Sequence, residues 1–121
     1  MSITVNLRYT GKENAALDFA KEMVSSGTVA KIRAEKGNLR YEYYVPLDEC
    51  SDNNGVAANG DKTVLLIDQW KDQAAIDAHH ASPMMATIAA LRDKYDLHMT
   101  VERFVSDEGG VPDSDKKFLR T

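Results

Sequence analysis

The sequence predicts an α+β domain in which four antiparallel strands form one sheet and two helical segments cover a single face of it. Three observations carry this. Residues 3–9, 39–45 and 97–105 alternate apolar and polar side chains with the period of two that a half-buried strand requires, and 64–67 is apolar throughout. Between these strands, at 14–32 and again at 72–95, the apolar spacing changes to three and four residues. The resulting order is βαββαβ. With right-handed crossovers it closes into the ferredoxin-like four-stranded antiparallel sheet, strands one and three central and both helices on one side.

Each element has its own local cause. Ile3, Val5, Leu7 and Tyr9 form the buried face of the first strand, Thr4, Asn6 and Arg8 the other, and Gly11 ends it. From about Asn14 a helix places Ala16, Phe19, Ala20, Met23 and Gly27 on one stripe. Ser25-Ser26-Gly27 weakens it, and a short continuation through Val29 and Ile32 stops at Gly37, a natural residue for a helix C-terminus. Leu39, Tyr41, Tyr43 and Val45 share one side of the second strand; Arg40, Glu42 and Tyr44 take the other. Pro46 ends it, and the Gly- and Asn-rich stretch 48–61 is expected to be a mobile loop.

Val64–Ile67 has no polar phase and reads as a strand covered on both faces, closed by Asp68, Gln69 and Trp70. Asp72 sits where a helix N-cap belongs, its carboxylate placed to accept from first-turn amides. The helix AAIDAHH breaks at Ala81. It is expected to restart with Ser82 as a hydroxyl cap and Pro83 at the first helical position, with Met84, Ile88, Leu91 and Tyr95 as its core stripe. Residues 1–106 are thus expected to form the domain. Residues 107–121 form a tail whose Phe118 and Leu119 want a surface, on this subunit or a partner.

The sheet face away from the helices is expected to carry Asn6, Arg8, Arg40, Glu42, Tyr44, Leu66, Asp68, Trp70, His98, Glu102 and Phe104. That mixture is too apolar for open water, and a second copy is the simplest cover, which predicts a homodimer. A net charge of −4 argues against nucleic acid as a main partner. No apolar run approaches the roughly twenty residues of a membrane span. The single cysteine, Cys50, cannot form an internal disulfide, and MSITVNLRY lacks a secretory pattern, so the expected location is the cytoplasm.

Candidate site residues follow from residue type. Trp70 either presents its indole N–H and ring to an aromatic ligand or is simply a large core residue. Asn6 is unusual in a strand interior and is read as an oxyanion donor, or else a structural hydrogen bond. Asp68 either orients a histidine or pairs with Arg8, with pairing preferred. Tyr44 donates its hydroxyl or packs. His79 and His80 are neighbours on a helix, so their side chains diverge by about 100° and do not readily share a metal. His98 is a further acid–base candidate. No HxxxH or HxH spacing occurs, and no metal site is expected.

EKGNLRYEYY at 35–44 and DQWKDQAAIDAHHASP at 68–83 together resemble the antibiotic biosynthesis monooxygenase (ABM) family, of the dimeric α+β barrel group. Trp70, Asp72, Ala75, His79, Ser82 and Pro83 match its pattern place by place. Met84 departs, since many relatives carry a second histidine there. It reads first as core and is kept among the pocket candidates. The resemblance selects His79 as the inward histidine, which is a candidate general base or else a satisfied structural histidine. It implies oxygenation without flavin or metal, in which a deprotonated phenol or quinol reduces O₂ directly. No cofactor is expected, and haem is disfavoured because residues 84–95 contain no histidine. The expected site is His79, Trp70 and Asn6 in catalysis, with Tyr44, Arg8, Asp68, His98 and Met84 binding substrate. An isomerase of a small hydroxy-carbonyl compound and a non-catalytic ligand-binding module are the alternatives.

Overall fold

The computed structural model describes residues 2–47 and 55–107. Cys50, the first half of the 48–61 loop, and the tail with Phe118 and Leu119 lie outside them. The elements are β1 (Ile3–Gly11), α1 (Ala15–Ser25), α2 (Thr28–Arg33), β2 (Asn38–Tyr44), β3 (Lys62–Trp70), α3 (Gln73–His80), α4 (Met84–Lys94) and β4 (His98–Val105). The sheet order is β2-β3-β1-β4, every neighbouring pair antiparallel, so strands one and three are central as the ferredoxin-like arrangement requires.

The core lies between the helices and one sheet face. Tyr9, Phe19, Met23, Ile32, Leu66 and Trp70 are its largest buried members, and the Tyr9 and Phe19 rings pack at 4.9 Å. Burial of such side chains contributes about 1.5–3 kcal/mol each and holds the helices on the sheet.

Several local details differ from the sequence reading. Gly27 does not join the stripe of α1. It adopts a left-handed conformation, φ +81°, at the start of α2 and turns the chain between the two helices. Pro83 is the N-cap of α4 rather than its first helical residue, and Ser82 does not cap: its Oγ is buried without a partner. The described half of the 48–61 loop folds back on β3, with Thr63 N–H donating to the Gly55 carbonyl at 2.7 Å and Val56 bridging to Lys62.

The largest correction concerns β3. Trp70 lies opposite Ile3, Asp68 opposite Val5 and Leu66 opposite Leu7. Directly opposed residues share a sheet face, so Leu66, Asp68 and Trp70 face the helices, not the side that carries Asn6 and Arg8. Leu65 and Ile67 take their place on the outer face. The reason is that VLLI is apolar in both phases, so alternation alone could not assign a direction to the residues after it.

Two features set α3 against the sheet. Asp72 caps it, its Oδ1 accepting from the Ala75 N–H at 2.9 Å. Asp72→Ala is expected to lower stability by about 1 kcal/mol, measured by chemical denaturation. Gly37, at φ +87°, lies so close to α3 that a Cβ there would fall 2.6 Å from the Ala75 Cβ. That close approach brings the α2–β2 turn, with Glu35 in it, against the helix.

Candidate active site

Between the inner sheet face and α3–α4 lies a cavity of about 220 Å³. Its floor is Val5, Leu7 and Tyr9 of β1, Tyr41 of β2, and Leu66, Asp68 and Trp70 of β3. Ile76, His79 and His80 of α3 with Met85, Ile88 and Arg92 of α4 form the roof. Met99, Val101 and Arg103 of β4 close the remaining side, and that strand is solvent-exposed along its whole length.

His79 is only 4% exposed. Its ring packs on Trp70 with centroids 4.8 Å apart and planes 30° from each other. Its Nδ1 lies 3.0 and 3.2 Å from the two carboxylate oxygens of Glu35. A carboxylate on Nδ1 selects the tautomer protonated there and leaves Nε2 as the nitrogen with acceptor capacity. The contact spans 44 residues of sequence and depends on the close approach at Gly37. His80 is exposed but still borders the cavity, its ring 5.8 Å from that of His79, so the helical step separates the two without turning the second away from the site.

Asp68 is the second ionisable group in the cavity. It is 8% exposed, and its Oδ1 has no hydrogen-bond partner. Burial pushes its carboxyl from 3.8 up to about 7; the neighbouring Trp70 indole N–H pulls it down, and the charge of Glu35 adds to the rise. Burial likewise raises the Tyr9 phenol to about 12 and the Tyr41 phenol well above its ordinary value. Both therefore stay protonated at neutral pH. A mostly apolar cavity thus holds an indole, an imidazole with an attached carboxylate, a second carboxyl near neutrality and two phenols.

Of the residues expected at the site, His79, Trp70 and Asp68 line the cavity together. Asn6, Arg8, Tyr44 and His98 are on the opposite sheet face. Arg8 pairs there with Glu102 at 3.5 Å rather than with Asp68, and the Tyr44 hydroxyl donates to Glu42 at 2.6 Å. Asn6 stands opposite Ile67 and Glu102, with its Oδ1 buried and unpartnered. His98 stands opposite Thr10, at the exposed start of β4. Met84 packs on the core, while its neighbour Met85, one helical step round, lines the cavity.

Sequence reasoning missed Glu35, Tyr9, Tyr41, Arg92 and Arg103. Three of them carried a signal: Arg103 interrupts the apolar stripe Met99, Val101, Val105 on β4, and Tyr9 and Tyr41 place phenols on the apolar stripes of β1 and β2. Glu35 carried none, because it reaches the site only through a tertiary contact. Among the described residues no group of three His, Cys, Asp or Glu could hold a metal ion, and no helix is long and apolar enough to cross a membrane.

The model of the antibiotic biosynthesis monooxygenase (ABM) family matches residues 2–91. Solved structures share the fold. A Deinococcus radiodurans protein described provisionally as an antibiotic biosynthesis monooxygenase is 15% identical, with a TM-score of 0.65 over 89% of this chain and 94% of its own. PA3566 from Pseudomonas aeruginosa is 20% identical, TM-score 0.62, over 87% and 93%. SnoaB from Streptomyces nogalater, a cofactor-independent oxygenase, is 19% identical, TM-score 0.61, over 88% and 94%. A search of the curated proteins finds no match.

Proposed function

Because the chain belongs to the antibiotic biosynthesis monooxygenase family, we propose that it is a cofactor-independent monooxygenase that oxidises a small aromatic or quinol-like compound with O₂. The observation that carries this reading is the cavity in which Trp70 stacks on His79 and Glu35 holds the imidazole. Its likeness to SnoaB, a cofactor-independent oxygenase, supports it.

The chemistry asks little of the protein. A phenol that loses its proton becomes an electron-rich anion able to reduce O₂. The substrate supplies the electrons; one oxygen atom enters the product and the other leaves as water. The protein contributes a proton acceptor, donors for the developing oxyanion and exclusion of water. Two groups of the cavity have acceptor capacity, His79 Nε2 and the Asp68 carboxyl; the Tyr9 and Tyr41 hydroxyls are donors, and the Trp70 ring offers an aromatic wall. Metal-free protein is expected to consume O₂ with at least one member of a quinol panel; no uptake above background with any of them would overturn the reading.

The same reading takes the protein as a cytoplasmic homodimer. Support for the dimer comes from the outer sheet face. Phe104 is 53% exposed there, Leu65 and Ile67 lie on the same face, and the Asn6 Oδ1 lacks a partner within the subunit. A second copy on that face would cover the apolar residues and offer Asn6 a donor. Sedimentation equilibrium should give twice the chain mass of 13.4 kDa; a monomer at micromolar concentration would contradict it.

A further inference from the structure

We propose that Asp68 is the group that takes the proton from a hydroxyl of the bound ligand and then, as the neutral acid, donates it back as the hydrogen bond that holds the oxyanion. The proposal deepens the monooxygenase reading and names the ligand chemistry of that cavity: a phenol or enol, bound as its anion.

Placement comes first. Asp68 lies mid-sheet, between Val5 of β1 and Tyr41 of β2 in the ladder, and points at the cavity rather than at solvent. A carboxylate buried to this extent is normally paired with a cation or bonded at both oxygens. Here the Oδ1 has no partner. Each cation of the cavity is turned elsewhere: Arg92 donates to the Met99 sulfur at 3.5 Å and Arg103 to the Gln73 side chain at 2.8 Å. The indole N–H of Trp70 is the donor beside it. Packing alone does not explain a carboxyl left so poorly satisfied.

The other ionisable neighbours do not displace it from this role. On α3, His79 is held by Glu35 at Nδ1 and by the Trp70 ring on its face, and His80 is exposed; Glu35 is a carboxylate already committed to His79 Nδ1. Tyr9 on β1 and Tyr41 and Tyr43 on β2 are phenols whose protons burial retains. The anionic field of Glu35 and the low polarity of the site both favour the protonated form of Asp68, which puts its titration near neutrality. A base is most effective when it titrates near the working pH, and a buried neutral carboxylic acid is a strong oxyanion donor. The transfer balances simply. The ligand O–H bond breaks, its electron pair stays on the ligand oxygen, and an Asp68 O–H bond forms.

The test is anaerobic and uses 3-nitrophenol, a weaker acid whose phenolate absorbs apart from the phenol. Slightly above neutrality, at about pH 7.5, Asp68 is mostly ionised while the free phenol is mostly protonated. Titration with excess wild-type protein should then bring up the phenolate band, and Asp68→Asn should lose about nine-tenths or more of it, since an amide cannot accept the proton. Carbon-detected NMR of the ligand-free protein should place the Asp68 carboxyl midpoint near pH 7. Absence of the band with wild-type protein, its retention in a folded Asp68→Asn variant, or an Asp68 midpoint in the ordinary carboxylate range would each overturn the proposal. No oxygen enters these measurements, so they stand or fall apart from the O₂-uptake result.

Discussion

Trp70→Ala is expected to lose about 3–5 kcal/mol of folding stability, together with most of any activity the cavity supports. The side chain is 1% exposed and belongs to the main core cluster, so truncation opens a void that the surrounding sheet cannot collapse to fill. The same ring carries the imidazole of His79 and stands beside Asp68. Trp70→Phe separates the two roles. It keeps most of the packing and removes the N–H, so stability should fall by much less while the Asp68 carboxyl rises further. Urea denaturation of both variants, with an NMR titration of Asp68 in the second, measures this. Equal destabilisation by the two would mean that the indole N–H, not the bulk, holds the strand end.

The second large effect is a dependence of stability on pH. Asp68 binds its proton more tightly in the folded chain, at about 7, than its ordinary value of 3.8. Between those values the folded state carries a proton that the unfolded state has lost. Stability from this group is therefore full below about pH 4, falls as pH rises, and is gone above about pH 7. The shift of about three units corresponds to at most ~4 kcal/mol. Asp68→Asn removes the dependence: it should match wild type near pH 4 and exceed it by a few kcal/mol at pH 8, read from denaturation midpoints at the two pH values. An unchanged difference across that range would contradict the assignment. Such a group is tolerated in a core where a site needs it, and stability is lost in exchange.

Much of the architecture was legible because its signals were local. Period-two alternation located β1 and β2, the Asp72 cap located α3, and the number and order of strands followed from connection rules. What failed was phase. β3 runs apolar on both faces, and only its pairing with β1 shows that Asp68 and Trp70 look inward. Asn6, Arg8, Tyr44 and His98 do lie on the outer face, as alternation places them; they are separated from the cavity because Trp70 and Asp68 are not on that face. His79 was found through a motif on its own helix. Its partner Glu35 was not, because the contact is made by a turn that only the positive φ of Gly37 lets approach. A periodicity argument identifies which faces are buried; it does not identify which distant side chains meet there.

The chain contains one tryptophan, and that tryptophan is stacked on the buried histidine. Indole emission is quenched by a protonated imidazole in contact with it, and shifts to the red when the ring meets water. The protein therefore carries a built-in optical probe at the cavity. A single fluorescence trace reports unfolding through its colour and changes in the ring's contacts at the cavity through its intensity, with no label to perturb either.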